Sequence, residues 1–156
     1  MSVPGATAPV PTVTSTESPA PSTTSTTLAP EPATGDVEGF EIIEIEIDGE
    51  RMSVAVADTP DLRQQGLMFV EDLGDLGGML IDFGGESQGG FWMKNTLIPL
   101  AIAFFDEEGA LVAMMGMVPC EADPCTTYDP GVSYSYAIEV PAGDFADLRD
   151  DARLSF

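Results

Sequence analysis

The chain of 156 residues has no histidine and only one lysine, one asparagine, one tryptophan and two cysteines. Without histidine, the Ser-His-Asp and Cys-His routes to an activated nucleophile are closed, and zinc would have to be held by cysteines and carboxylates alone. Positive charge is equally scarce: 5 Lys and Arg stand against 27 Asp and Glu, for a formal charge of -22. Clustered phosphates need clustered cations, so nucleic acid is excluded as a partner and anionic membrane surfaces are disfavoured. No apolar run reaches the roughly 18 residues of a membrane-spanning helix, so no span is predicted. The start, MSVPGATAPVPTV, lacks the basic residues and apolar core of a signal peptide. There is no phosphate-binding loop or dinucleotide fingerprint, and no cofactor or metal is predicted.

What is present falls into two parts. Residues 1–38 are dominated by Pro, Thr, Ser and Ala, as in PAPSTTSTTLAPEP. Such a segment cannot bury enough surface to offset its ordering entropy, which predicts a disordered stalk, partly in polyproline II. As a coil its ends would lie about 30 Å apart, and extended it would reach around 100 Å. Ser/Thr/Pro-rich stalks hold domains away from cell surfaces. The setting expected is therefore extracytoplasmic (cell surface, periplasmic or secreted), with a tether through a leader or anchor segment missing from this chain. Residues 39–156 remain for one globular domain, enough to bury about two thirds of its unfolded surface.

Within that domain, Ile43, Ile45 and Ile47 alternate with Glu44, Glu46 and Asp48, and beyond Asp48-Gly49 the residues Met52, Val54 and Val56 alternate again. A hairpin with one buried face is predicted. In TPDLRQQGLM, Thr59 can cap, Pro60 suits a first turn and Gly66 suits a stop, which predicts a short helix carrying Arg63. A short strand is predicted at 79–83, and FWMKNT, residues 91–96, reads as extended. A second hairpin spans LAIAFFDEEGALVAMMGM and turns at Glu107 to Gly109; YSYAIEV is a long last strand and AGDFADL a second short helix. The predicted class is α+β, mainly antiparallel β: one curled sheet or small barrel with two short helices.

Cys120 and Cys125 lie in PCEADPC. A disulfide is the favoured reading, contributing about 2 kcal/mol by loop entropy, ahead of free thiols and of redox or metal chemistry, for which C-x4-C is a poor spacing. Eight methionines raise the question of Cu(I), but Met115 and Met117 share one strand face while Met114 takes the other, as core filling would have it. The acidic turn Asp106-Glu107-Glu108-Gly109 lacks the spacing of a calcium loop.

FWMKNT gathers the sole tryptophan, lysine and asparagine. In so acidic a domain Lys94 is expected to find a carboxylate partner, while Asn95 either brackets a ligand or satisfies backbone groups of the bend before Pro99. A binding site and a buried structural network are equally compatible with these residues.

RQQGLM (63–68), GGML (77–80), FWMKNTLIPL (91–100), AFFDEEGALV (103–112), VPCEADPCTTY (118–128) and YAIEVPAGDF (136–145) together resemble the bacterial and archaeal family known as domain of unknown function 192. The resemblance covers essentially 54–145 and implies a β-rich fold, often exported or lipid-anchored, with no known reaction. The family usually reads Pro-Leu-Asp where this chain has Pro99-Leu100-Ala101. A family carboxylate serving catalysis or pairing with Lys94 or Arg63 would be missing here.

Three functions are carried forward. The first is a non-enzymatic, envelope-tethered domain that binds a small ligand or a partner in a pocket of Arg63, Trp92, Lys94, Asn95 and Thr96 with Glu139 nearby. The ligand would be a small anion, a sugar-like molecule or a peptide carboxylate. The second is a hydrolase-like enzyme using Lys94 with a carboxylate such as Glu139. The third is a purely structural or assembly domain.

Overall fold

The computed structural model describes Gly5 and residues 37–156. The stalk predicted over residues 1–38 lies outside them apart from Gly5, Val37 and Glu38. The first hairpin forms as its alternation requires: β1 (Glu41–Ile47) and β2 (Glu50–Ala57) pair antiparallel, with Ile45 opposite Met52 and Ile43 opposite Val54. Asp48 and Gly49 both have positive φ, 55° and 87°, the signature of a two-residue turn whose twist matches the strands. At α1 (Pro60–Gln65) the Leu62 amide donates to the Thr59 hydroxyl and the Gly66 amide to the Leu62 carbonyl. The predicted cap and stop are both in place.

Helix α1 carries the chain across to β3 (Gly78–Ser87), which pairs parallel with β2, Val54 opposite Gly78 and Ala57 opposite Ile81. A parallel neighbour requires such a crossover, since a tight turn cannot make one. The short β4 (Phe91–Trp92) pairs with β7 (Thr127–Tyr128), apart from the main sheet. The second hairpin is β5 (Leu100–Phe105) and β6 (Leu111–Met117), and β8 (Tyr134–Pro141) inserts between β5 and β3. With β9 (Leu154–Ser155) the seven-stranded order is β6-β5-β8-β3-β2-β1-β9.

The sheet curls into a half barrel, and its two ends are stitched by the C-terminal segment. Leu154 pairs with Ile47 of β1, while the Leu154 amide donates to the Gly109 carbonyl and the Leu111 amide to that of Ala152, next to β6. In the middle of the sheet both faces are buried, so the start of β3 (GMLI), β5 and β8 read as nearly continuous apolar runs. Ala55, Met79, Ile81, Ile102, Phe104 and Ala137 point to one core. Val54, Leu80, Ala103, Phe105, Ile138 and Val140 point to the other.

Of the two helices expected, α1 is the one found among the described residues. AGDFADL is instead a run of turns, closed by backbone amides donating to carbonyls three residues back, from Asp144 to Pro141, Ala146 to Gly143 and Leu148 to Phe145. Gly143 at φ 105° is the local reason: that backbone cannot continue a helix. No helix among the described residues is long and apolar enough to cross a membrane.

Candidate functional site

In β8 the sequence Ala137-Ile138-Glu139-Val140 places a carboxyl within an apolar run. Glu139 lies between Met79 of β3 and Ile102 of β5, so it shares their face and enters the first core. It is 6% exposed. Among the described residues it makes no ion pair, and since no side-chain oxygen or nitrogen closed off from solvent lacks a partner there, its carboxyl oxygens keep access to solvent. Burial disfavours its charged form and raises its pKa from 4.5 to about 7.

Glu139 forms part of the wall of a cavity of about 40 Å³, shared with Arg63 of α1 and with Trp92, Lys94 and Thr96 of the FWMKNT segment. That is room for a water molecule or an ammonium-sized group. The surface hollows of about 300 Å³ beside Asp48 and Arg149 and of about 460 Å³ beside the cysteine loop are wider. Of the buried polar residues, Thr96, Ser135 and Glu139, neither of these hollows holds one.

The cations around the cavity are held in different ways. The Arg63 Nη1 donates to the carbonyls of Asp58 (2.6 Å) and Asp82 (2.8 Å), and its guanidinium stands 5.2 Å from the Phe83 ring centre. One nitrogen is thereby committed to the fold, and the other donors have no side-chain or carbonyl partner among the described residues. The Lys94 ammonium lies 5.4 Å from the centre of the Trp92 ring, and Trp92 is 48% exposed. The carboxylate partner expected for Lys94 is absent: the ion pairs among the described residues are those of Arg51 with Glu44 and Glu46 and of Arg149 with Asp48 and Asp151. Lys94 is instead placed by the turn that follows Trp92.

That turn is also where FWMKNT departs from an extended strand. Pairing ends at Trp92, and Asn95 adopts φ 57°. Alternation therefore fails beyond Met93. Met93 and Thr96 are buried, and the Thr96 amide closes the turn on the Met93 carbonyl. Asn95 does not line the cavity; its amide nitrogen lies 3.9 Å from the Met68 sulfur, and its carbonyl accepts from the Phe69 amide at 2.7 Å. Phe69 is itself at φ 63° and 58% exposed, a backbone state that an aromatic residue rarely adopts. This left-handed pair locks the GLMF and FWMKNT segments together, and nothing in the composition announces it. Asn95→Ala is expected to lower stability by about 1 kcal/mol through the αL backbone. Asn95→Gly should change it by less than about 0.5 kcal/mol, and urea midpoints for the two variants check the contrast.

Cys120 and Cys125 form a disulfide. The Cys120 amide donates to the Met93 carbonyl, so the cysteine loop buttresses the same turn. Asp123 lies close to both sulfurs, but an oxidised pair presents no thiolate to a metal. Ala101 packs on the opposite core from Glu139. A carboxylate at that position would lie across the sheet from Lys94 and Arg63, so its absence leaves the cavity unchanged.

The family model DUF192, described as "Uncharacterized ACR", matches residues 43–156. Two solved structures are similar. One is a candidate transcription regulator from Sinorhizobium meliloti 1021, with 27% identity and a TM-score of 0.67 over 74% of this chain and 94% of that one. The other is a protein of unknown function from Novosphingobium aromaticivorans DSM 12444, with 25% identity and a TM-score of 0.68 over 80% of this chain and 92% of that one. Among curated proteins no match is found.

Proposed function

The chain belongs to the DUF192 family, and we propose that it is a non-enzymatic binding domain that takes a small ligand at the cavity of Arg63, Trp92, Lys94, Thr96 and Glu139. The observation that carries this reading is Glu139, a residue only 6% exposed that lines a cavity and whose carboxyl makes no ion pair. Its oxygens are open to that cavity, since every side-chain oxygen or nitrogen closed off from solvent among the described residues has a partner. A buried unpaired acid weakens a fold, and residues kept at the expense of stability are commonly kept for a function. Asn95 serves as the turn that presents Lys94 and leaves the ligand contacts to the other residues.

An extracytoplasmic, envelope-tethered setting is supported by the disulfide, since such bonds persist in oxidising compartments, and by the stalk composition of residues 1–38. A regulator acting on nucleic acid is disfavoured by a charge of -22.

Saturation-transfer NMR with small carboxylic acids, amines and polyols tests the reading on the wild type and Glu139→Gln. At least one class is expected to bind the wild type and to lose affinity in the variant. Identical spectra for both proteins with every compound would contradict it. Lys94→Met is expected to change stability by no more than about 1 kcal/mol, because the residue makes only an exposed cation–π contact, while weakening any bound anion. A loss of several kcal/mol in urea unfolding would make Lys94 part of the architecture instead.

A hydrolase-like reading has one observation in its favour: a carboxyl with a pKa raised by burial to about 7, lining the same cavity as an amine, suits general acid–base work. It requires turnover of ester or amide substrates with a pH midpoint near 7 that disappears in Glu139→Gln.

A further inference from the structure

We propose that the ligand is a free α-amino acid, held by its two charged ends: the ammonium group on Glu139 and the carboxylate on Lys94 and Arg63. The inference rests on the binding-site reading above and names its ligand class. Three observations converge on it. The cavity holds an acid and two bases of opposite charge, none paired with another. Its volume of about 40 Å³ admits an ammonium-sized group at Glu139, with the rest of the ligand at the mouth beside the half-exposed Trp92. Arg63 is anchored through one nitrogen to two backbone carbonyls, which leaves the rest of a planar fork for a carboxylate.

Other ligands use fewer of the three groups. A simple anion would engage Lys94 and Arg63 but leave a protonated Glu139 unused, and must approach a chain of charge -22, whose field repels it at long range. A simple amine would satisfy Glu139 but would face Lys94 and Arg63. A polyol could accept a hydrogen bond from protonated Glu139 while leaving both cations without a counter-ion. A zwitterion is neutral overall, pays nothing to the long-range field and matches all three groups. Its side chain would run outward along the half-exposed Trp92 indole. The ammonium would ionise Glu139, whose charged neighbours in the cavity are Arg63 from α1 and Lys94 from the turn; Met79 and Ile102, beside it on β3 and β5, carry no charge.

Isothermal titration calorimetry of the full chain at pH 7 decides this with glycine, L-leucine and two one-ended leucine analogues. The analogues are 4-methylpentanoate, which lacks the ammonium, and 3-methylbutylamine, which lacks the carboxylate. Glycine or L-leucine is expected to bind, with each analogue weaker than L-leucine by about tenfold or more. Glu139→Gln should bring L-leucine down to the level of 4-methylpentanoate, and Lys94→Met to that of the amine. An analogue binding as tightly as L-leucine overturns the two-ended recognition, as does failure of both amino acids to bind. Neither result removes the binding-site reading, which falls if every acid, amine and polyol of the NMR comparison gives identical spectra with the wild type and Glu139→Gln.

Discussion

Above pH 7 the Glu139→Gln variant is expected to be more stable than the wild type by about 3 kcal/mol. In the unfolded chain Glu139 titrates in the ordinary range, whereas in the folded chain burial raises it from 4.5 to about 7. Below pH 4.5 the carboxyl is neutral in both states, and wild type and variant should be equally stable. Between pH 4.5 and 7 the unfolded chain gives up its proton first, so the wild type loses stability as pH rises. Above 7 the folded carboxyl is ionised too, and the difference levels off. Arg63 and Lys94 are the charged groups on the same cavity, and neither is changed by the substitution. Urea unfolding from pH 5 to 8, followed by circular dichroism, reads the difference between the two proteins and cancels the other carboxylates. A difference that stays constant across this range would mean that Glu139 is not buried unpaired.

Gly78→Ala is expected to destabilise the fold by about 3 kcal/mol, at the upper end for a packing clash. A Cβ at Gly78 would strike the Glu139 carbonyl oxygen and press on the Val140 side chain. Backbone in the middle of a sheet cannot move aside as a flexible side chain can. Gly78 opens β3 between β2 and β8, so the displacement would also shift the strand that holds Glu139 and weaken any ligand there. Gly116→Ala is the control, because a Cβ at Gly116 on the edge strand β6 meets nothing within 4 Å, and little loss is expected. Equal urea midpoints for the two variants would contradict this packing.

The parts of the fold that the sequence made legible are those set by local rules. The Ile/Glu alternation and Asp48-Gly49 specified the first hairpin, and Thr59, Pro60 and Gly66 specified α1. AGDFADL, read as a helix, is bent into turns by the backbone of one residue, Gly143 at φ 105°. FWMKNT misled because alternation holds only while a chain stays extended, and Asn95 ends that state. The insertion of β8 between β3 and β5 is a choice among long-range pairings that no short window contains. Of the six candidate residues named from the sequence, Arg63, Trp92, Lys94, Thr96 and Glu139 line one cavity and Asn95 does not. The carboxylate partner of Lys94 was inferred from average acidity, which does not fix where any single acid points. A glutamate inside YAIEV was the strongest available signal, since a charge in an otherwise apolar strand needs a reason.

The most direct test of a buried, unpaired carboxyl built for a ligand is a carbon-13 NMR titration of the glutamate side chains, with Glu139 assigned by its disappearance in Glu139→Gln. A midpoint near 7, separated from the other glutamates and moved downward by a bound ammonium compound, is the expected result. A midpoint in the ordinary range near 4.5, unmoved by any small molecule, would contradict the central claim and return FWMKNT to a purely structural role.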